Sequence, residues 1–242
     1  MTIVLHDKLT EEEREQVNEV ARRLHREAIE TPESGINVEY QGREYFVAQG
    51  IFHPRYDSRP LVNNMIINRG ERVLDMCTGS GVIAVNAAIK GAIYVLAVDV
   101  NPNSVKSVET NAERYVGDNS YGFRTVVEAR CSNLFDLVSP DEKFDVVTIN
   151  PPFHKMDYTR IEERSTCDPD YIVHKGFFSR VGKHLREGGR IYMAQANFGD
   201  VDLALDLADK ASFHAELIGR RPLRPTIDSP EIFYAFELRR KE

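Results

Sequence analysis

The chain has 242 residues, 42% of them apolar, with 31 Lys and Arg against 38 Asp and Glu for a net charge of −7. That suffices for one sizeable core with a small appendage, while the acidic balance excludes a protein that grips nucleic acid by its own charge. No apolar run reaches the roughly 18 residues of a membrane span, the start lacks the pattern of a secretory signal, and the three cysteines, Cys77, Cys131 and Cys167, are scattered. The expectation is a cytoplasmic protein with neither disulfide framework nor membrane contact.

In chain order, the spacing predicts a helix over residues 8–30, with Thr10 and Glu13 as a capping box and Val17, Val20, Leu24 and Ile29 as a thin apolar stripe. After "TPESG", two β-rich runs flank Gln41 and Gly42 as a hairpin. From residue 58 strands and helices alternate. Strands are expected at "ERVLDMC" (71–77), "IYVLAVDV" (93–100), "FRTVVEA" (123–129), "FDVVTIN" (144–150) and "GRIYMAQA" (189–196). Helices are expected over 81–91, 102–117 and 171–188, and an antiparallel strand pair at "SFHAELIG" (212–219) and "EIFYAFELR" (231–239). Such alternation implies a mostly parallel α/β sheet covered on both faces, with ligands beyond the carboxyl ends of its strands.

Residues 73–85, "VLDMCTGSGVIAV", end a strand at Asp75 and open a helix after Gly81. Gly79 and Gly81 remove side chains where a ligand would approach the backbone. The Lys of a phosphate-cradling loop is missing, and Cys77 stands where a dinucleotide fingerprint has its first glycine. The next strand ends at Asp99, whose carboxylate can accept both ribose hydroxyls of an adenosine group. Loop and acid together point to an adenosine-containing ligand; the plain alternative is a tight turn and a helix-capping Asp.

"LDMCTGSG", "AVDVNPNSV" and "INPPF", in this order within residues 58–200, resemble the motif series of class I S-adenosylmethionine-dependent methyltransferases. The resemblance implies a Rossmann-like class I methyltransferase fold, a mostly parallel twisted sheet with an antiparallel C-terminal strand. Residues 1–55 would form a short N-terminal helix and β-hairpin extension, and residues 56–242 the methyltransferase domain. It implies S-adenosyl-L-methionine as cofactor. Asp75 would lie near its methionine amino group, Cys77, Thr78, Gly79 and Gly81 beneath it, and Asp99 with Val100 at its ribose. Asn133, in "EARCSNLFD", stands where "SDLF" would supply an acid to the adenine pocket, and its amide can still donate or accept at the adenine edge.

In "INPPF" the two prolines carry no N–H, stop the strand and hold an extended bend. Asn150, beside the cofactor, and the Pro151 carbonyl can then face a cleft as acceptors, which suits a planar NH2 group. Holding both hydrogens aims the nitrogen lone pair at the sulfonium methyl, so positioning supplies most of the displacement and no base is needed before attack. Phe153 would pack on the planar acceptor.

Upstream, "YQGREYFVAQGIFHPRYDSRPLV" resembles the hairpin and "PR-x-(D/E)-(S/T)" stretch of the HemK type, the release-factor glutamine methyltransferases. There Pro54, Arg55, Asp57 and Ser58 would close over the cofactor. The first expectation is therefore N-methylation of a protein glutamine amide, with a release-factor-like partner. Three features pull elsewhere: Phe153 replaces the usual Tyr, the N-terminal helical part is short, and "NPPFH" with "MAQANF" resembles guanine-amine ribosomal RNA methyltransferases. An exocyclic amine of adenine or guanine in RNA and a small-metabolite acceptor stay open. So does a non-catalytic cofactor-binding scaffold with the first helix as a docking element.

Further along, His154 could shuttle a proton and Asp157, Glu162 and Glu163 could orient a cation, although a solvent-facing loop explains all four. Tyr56 and Tyr158 could wall the pocket. No histidine or cysteine spacing suits a metal, Cys77 lacks a base and reads as a packing residue, and Arg220, Arg221 and Arg224 read as a solvated rim.

Overall fold

The computed structural model describes residues 8–116, 125–222 and 230–242. Arg224 and the first two residues of the strand expected from 123 lie outside them. Helix α1 (Glu11–Glu30) opens on the expected capping box, in which the Thr10 hydroxyl accepts the Glu13 N–H and the Glu13 carboxylate accepts the Thr10 N–H. Strands β1 (Ile36–Tyr40) and β2 (Arg43–Val47) form an antiparallel hairpin. Its two turn residues, Gln41 and Gly42, have φ of 51° and 79°, the left-handed pair that a two-residue turn needs to match strand twist. A short helix, α2 (Arg59–Asn64), follows with Pro60 in its first turn, where the missing N–H costs nothing.

The remaining elements are β3 (Arg72–Met76), α3 (Val82–Lys90), β4 (Tyr94–Asp99), α4 (Asn103–Tyr115), β5 (Val126–Cys131), β6 (Phe144–Ile149), α5 (Ile172–His184), β7 (Leu185–Ala196), α6 (Val201–Lys210), β8 (Phe213–Pro222) and β9 (Ile232–Arg240). The seven strands β3 to β9 form one sheet in the order β5-β4-β3-β6-β7-β9-β8. Pairing is parallel from β5 to β7, and β9 runs antiparallel to both of its neighbours. Successive strand residues face opposite sides, and the core divides accordingly. Val73, Val95, Val146 and Tyr192 join Val85 of α3 and Val108 of α4 on one face. Leu74, Leu96, Val147 and Ile191 join Phe177 of α5 and Ala204 of α6 on the other.

One boundary and one added helix differ from the sequence expectation. The helix expected to reach 188 stops at His184, and Leu185 already pairs with Phe144; Gly188, at φ 69°, then turns the chain before Arg190 pairs with Val146. Helix α6 was not expected, although Val201, Ala204 and Ala208 bury one helical face and Asp200 caps it by accepting the Leu203 N–H.

The loop between β3 and α3 has three residues in the left-handed region, Cys77, Gly79 and Gly81, at φ of 60°, 54° and 81°. The two glycines are required for different reasons. A Cβ on Gly81 would lie 2.9 Å from Val108 Cγ2, so this glycine lets α3 approach α4; a Cβ on Gly79 would meet nothing within 4 Å. Gly81→Ala should therefore lose about 2–4 kcal/mol of unfolding free energy from backbone strain and overpacking. Gly79→Ala should lose about 1–2 kcal/mol from strain alone. Urea titrations of both variants measure the difference, and equal losses would refute the packing role of Gly81.

Candidate active site

Strand order reverses between β3 and β6, since β4 and β5 extend one way and β7 the other. In open α/β sheets this reversal leaves a crevice at the carboxyl ends of the strands. A cavity of about 270 Å³ occupies it. Its wall includes Cys77, Thr78 and Gly79 after β3, Asp99 and Val100 after β4, Asn133 after β5, Asn150, Pro151 and Phe153 after β6, and the strap Pro54, Arg55, Asp57 and Ser58. Nearly all residues expected at the site thus converge.

Asp75 and Gly81 are not part of that wall. The Asp75 carboxylate is fully buried under the glycine loop, where Oδ2 accepts the Thr78 hydroxyl and Oδ1 the Thr148 hydroxyl, both at 2.6 Å. Each oxygen takes one hydroxyl in holding the loop against β6 and keeps a second lone pair. Burial raises this carboxyl to about 6. Gly81 is likewise set behind the wall, against Val108. The Cys77 thiol is pushed well up by burial, with Asp99 and Asp75 adding to the shift, and is unsuited to act as a nucleophile.

Asp99 closes the loop from the other side. Its Oδ2 accepts the Gly79 N–H at 2.8 Å and its Oδ1 the Asn101 N–H at 2.9 Å. Each carboxylate oxygen has a second lone pair, so Asp99 keeps capacity for two ligand hydroxyls. Burial raises its carboxyl. Asn133 is exposed at the rim, and its Oδ1 accepts from Arg164 at 3.2 Å.

Past β6 the bend buries Pro151, Pro152 and Phe153. Asn150 Nδ2 donates to Asp57 Oδ2 at 2.6 Å, while Asn150 Oδ1 and Asp57 Oδ1 are both buried with no donor among the described residues. Buried polar atoms are almost always paired, and these two orphan acceptors belong to residues that line the cavity. Arg55 Nε is a third orphan, and its guanidinium pairs through Nη2 with Glu27 of α1. Ser58 donates to the Tyr40 hydroxyl at 3.1 Å.

Several wall residues escaped the sequence reading. Val17, Val20, Ala21 and Leu24 of α1 close the cavity opposite the strand ends, so the thin apolar stripe faces the site. Phe198 lies edge-on to Phe153 at 5.7 Å and to Phe233 at 5.9 Å. His154, expected on a solvent-facing loop, is buried: it stacks on Phe198 at 4.7 Å and its Nδ1 bonds Asn18. Burial lowers its pKa to about 4, which keeps it neutral near pH 7. Glu163 caps a turn by accepting the Thr159 and Arg160 N–H groups. Tyr56 joins the wall under the Arg59 guanidinium at 4.3 Å, whereas Tyr158 stacks on Arg164 outside it. Among the described residues, no group of three or more potential ligands could hold a metal, and no helix is long and apolar enough to cross a membrane.

The family model for the methyltransferase small domain matches residues 49–208. A Methanocaldococcus jannaschii protein that bears the name "Putative protein N5-glutamine methyltransferase" is 26% identical over 190 residues, 76% of this chain and 91% of its own length. The Koribacter versatilis release factor glutamine methyltransferase is 31% identical over 151 residues, which is 60% of this chain but 50% of that protein, so the chain spans about half of this relative. The fold matches the T. thermophilus 16S rRNA N2 G1207 methyltransferase, solved with AdoMet and guanosine, at a TM-score of 0.60 and 19% identity over 86% of this chain and 50% of the other.

The Asp75 carboxyl allows a test of this geometry. It ionises at about 6 rather than 3.8 because burial disfavours its charge. The native state thus keeps a proton that the unfolded chain has lost, so ionisation costs stability as pH rises from about 4 to about 6, and the whole cost is present above that. Relative to Asp75→Asn, the wild-type protein should gain up to about 3 kcal/mol as pH falls through this window. Urea titrations at several pH values measure it. A difference independent of pH would show that Asp75 is not buried as described.

Proposed function

We propose, from the premise that this chain belongs to the methyltransferase small domain family and is a class I S-adenosylmethionine-dependent methyltransferase of the HemK type, that its acceptor is the side-chain amide nitrogen of a protein glutamine. One observation carries the reading: the buried, unpaired Asn150 Oδ1 at the cavity wall. An amide NH2 offers the hydrogen this oxygen lacks, and the Pro151 carbonyl, which follows directly, accepts the second. The relatives named for glutamine methylation support the same acceptor, as does the acidic net charge, since a protein acceptor needs no basic groove.

The residues fit the cofactor that the family implies. Gly79 offers an open backbone face, Asp99 has lone pairs for the ribose hydroxyls with Val100 beside it, Asn133 stands at the rim for the adenine edge, and Arg55 and Ser58 close the strap side. When bound, S-adenosylmethionine supplies a methyl carbon already activated by its sulfonium. The chain's own task is then orientation. Asn150 and Pro151 hold both amide hydrogens, which turns the nitrogen lone pair toward the methyl carbon. Bound there, the cofactor would give up its methyl group to the nitrogen and leave as a neutral thioether, and the extra proton on the nitrogen would pass to solvent after transfer while Asn150 and Pro151 keep their hold on the amide. Phe153, braced by Phe198, walls the plane of the acceptor.

A labelled-methyl assay offering a release factor, ribosomal RNA and a small-molecule pool in parallel should place label in the protein; label confined to RNA or to the pool rejects the glutamine reading. Asn150→Ala should lower turnover about 100-fold or more with the cofactor dissociation constant nearly unchanged. Asp99→Ala should weaken cofactor binding about 10–100-fold, as calorimetry with S-adenosylhomocysteine would record. Unchanged affinity there would remove Asp99 from the cofactor site.

A further inference from the structure

A terminal amide can turn over about its last torsion, exchanging oxygen for NH2 at nearly the same shape. For Asn150 the two orientations have opposite chemistry. With Oδ1 toward the cavity the wall accepts a hydrogen; with Nδ2 toward it, two NH2 groups would face each other. The 2.6 Å contact from Nδ2 to Asp57 Oδ2 decides between them, because the turned amide would set its oxygen against a carboxylate oxygen. We propose that Asp57 is a positioning residue for methyl transfer, fixing the Asn150 amide so that its oxygen faces the acceptor nitrogen. The inference rests on the reading of Asn150 as the group that holds the acceptor.

Asp57 is itself held on both sides by the N-terminal elements. Before it, His53 Nδ1 bonds Glu27 at 3.0 Å, His53 Nε2 bonds the Thr31 hydroxyl at 2.9 Å, and Arg55 pairs with Glu27. After it, Ser58 donates to Tyr40 of β1, and the Arg59 guanidinium covers the rings of Tyr56 and Tyr40. The end of α1 and the hairpin therefore fix a strap whose one carboxylate reaches across to the loop after β6. The second oxygen, Asp57 Oδ1, lies buried and unpaired like Asn150 Oδ1. Together they add two acceptors to a wall that also holds the unpaired Arg55 Nε donor.

The orientation can be read without knowing the acceptor. In 15N-labelled protein saturated with S-adenosylhomocysteine, the Asn150 side-chain amide is identified by its loss in Asn150→Ala. Asp57→Ala should shift that signal and speed its exchange with water about tenfold, as expected when a charge-assisted hydrogen bond is lost. Asp57→Asn keeps an oxygen for Nδ2 and should retain most of the signal's position. With a release factor as acceptor, Asp57→Ala should lower kcat about 10–100-fold with the cofactor dissociation constant unchanged within about twofold, and Asp57→Asn only a few-fold. The exchanged pair D57N/N150D restores one donor and one acceptor at the contact and should recover at least about tenfold of the turnover lost in N150D alone. An Asn150 signal unmoved by Asp57→Ala overturns the inference, as does full turnover in Asp57→Ala while Asn150→Ala is inactive. A large loss of S-adenosylhomocysteine affinity would instead make Asp57 a cofactor contact and overturn it too. Undiminished turnover in Asn150→Ala would strike the proposed function itself, a result distinct from the others.

Discussion

The hold of Asp75 on its two threonines is the constraint from which the site follows. Asp75 and Thr148 are register partners on the adjacent strands β3 and β6, and Thr78 lies in the loop that β3 feeds. A carboxylate buried without partners would cost several kcal/mol. Here two short hydroxyl donors, one on the neighbouring strand and one in the loop, offset part of the cost. The arrangement pins the start of the glycine loop to the strand that carries the Asn-Pro-Pro-Phe bend. The two loops leave neighbouring strand ends on either side of the switch point, and their separation is set by strand spacing rather than by flexible loop geometry. Asp99 repeats the device from β4, accepting the Gly79 N–H across the same loop.

The N-terminal segment is bound to this frame by polar groups as much as by packing. The open edge of β2 meets α4, where Asn111 acts as a substitute strand: it accepts the Phe46 N–H at 2.7 Å and donates to the Phe46 carbonyl at 2.8 Å. Ser107 accepts the Ala48 N–H, and Asn101 and Asn103 donate to the carbonyls of Gly50 and Gln49. Unpaired backbone at a sheet edge is a liability, and here α4 and the turn before it remove it. The hairpin is thus fixed where β1 can support the strap, while the apolar stripe of α1 covers the cavity. A piece too thin to fold alone gains its stability from the domain and closes the site in return.

Much of this was legible in the sequence because it is local. The capping box of Thr10 and Glu13, the left-handed turn at Gln41 and Gly42, and the glycine loop all follow from residues a few positions apart. The strand alternation follows from period and length. What could not be read depends on partners distant in the chain. Asn150 and Asp57 are separated by 93 positions and His154 and Asn18 by 136, and no local pattern announces either contact. His154 was expected on a solvent-facing loop; it is buried because Phe198 and α1 reach it. The motif fixes the sequence position of Asp75, whereas one of the two hydroxyls that hold its carboxylate, that of Thr148, comes from another strand. The helix expected to 188 gave way to β7 at Leu185 because β6 offers Phe144 as a partner, and tertiary pairing overrides a favourable helical run.

The orphan acceptors connect stability with chemistry. Each buried oxygen without a donor costs about 1–3 kcal/mol, and a fold designed for stability alone would fill the position with an apolar group. Asn150 and Asp57 instead satisfy each other through one bond and leave one oxygen apiece buried without a donor, on residues that line the cavity. The surrounding wall mixes aromatic and aliphatic groups, Phe153, Phe198, Phe233 and the stripe of α1, with charged ones such as Asp99, Arg55 and Arg164. A ligand bearing N–H groups recovers the cost, and one without them does not. Selectivity by such a wall grows with its dryness, because an unpaired acceptor in water loses little while one in an apolar cavity loses a full hydrogen bond. The helix that lines the site therefore bears on discrimination as well as on stability, because its apolar stripe forms part of the wall around the two unpaired oxygens.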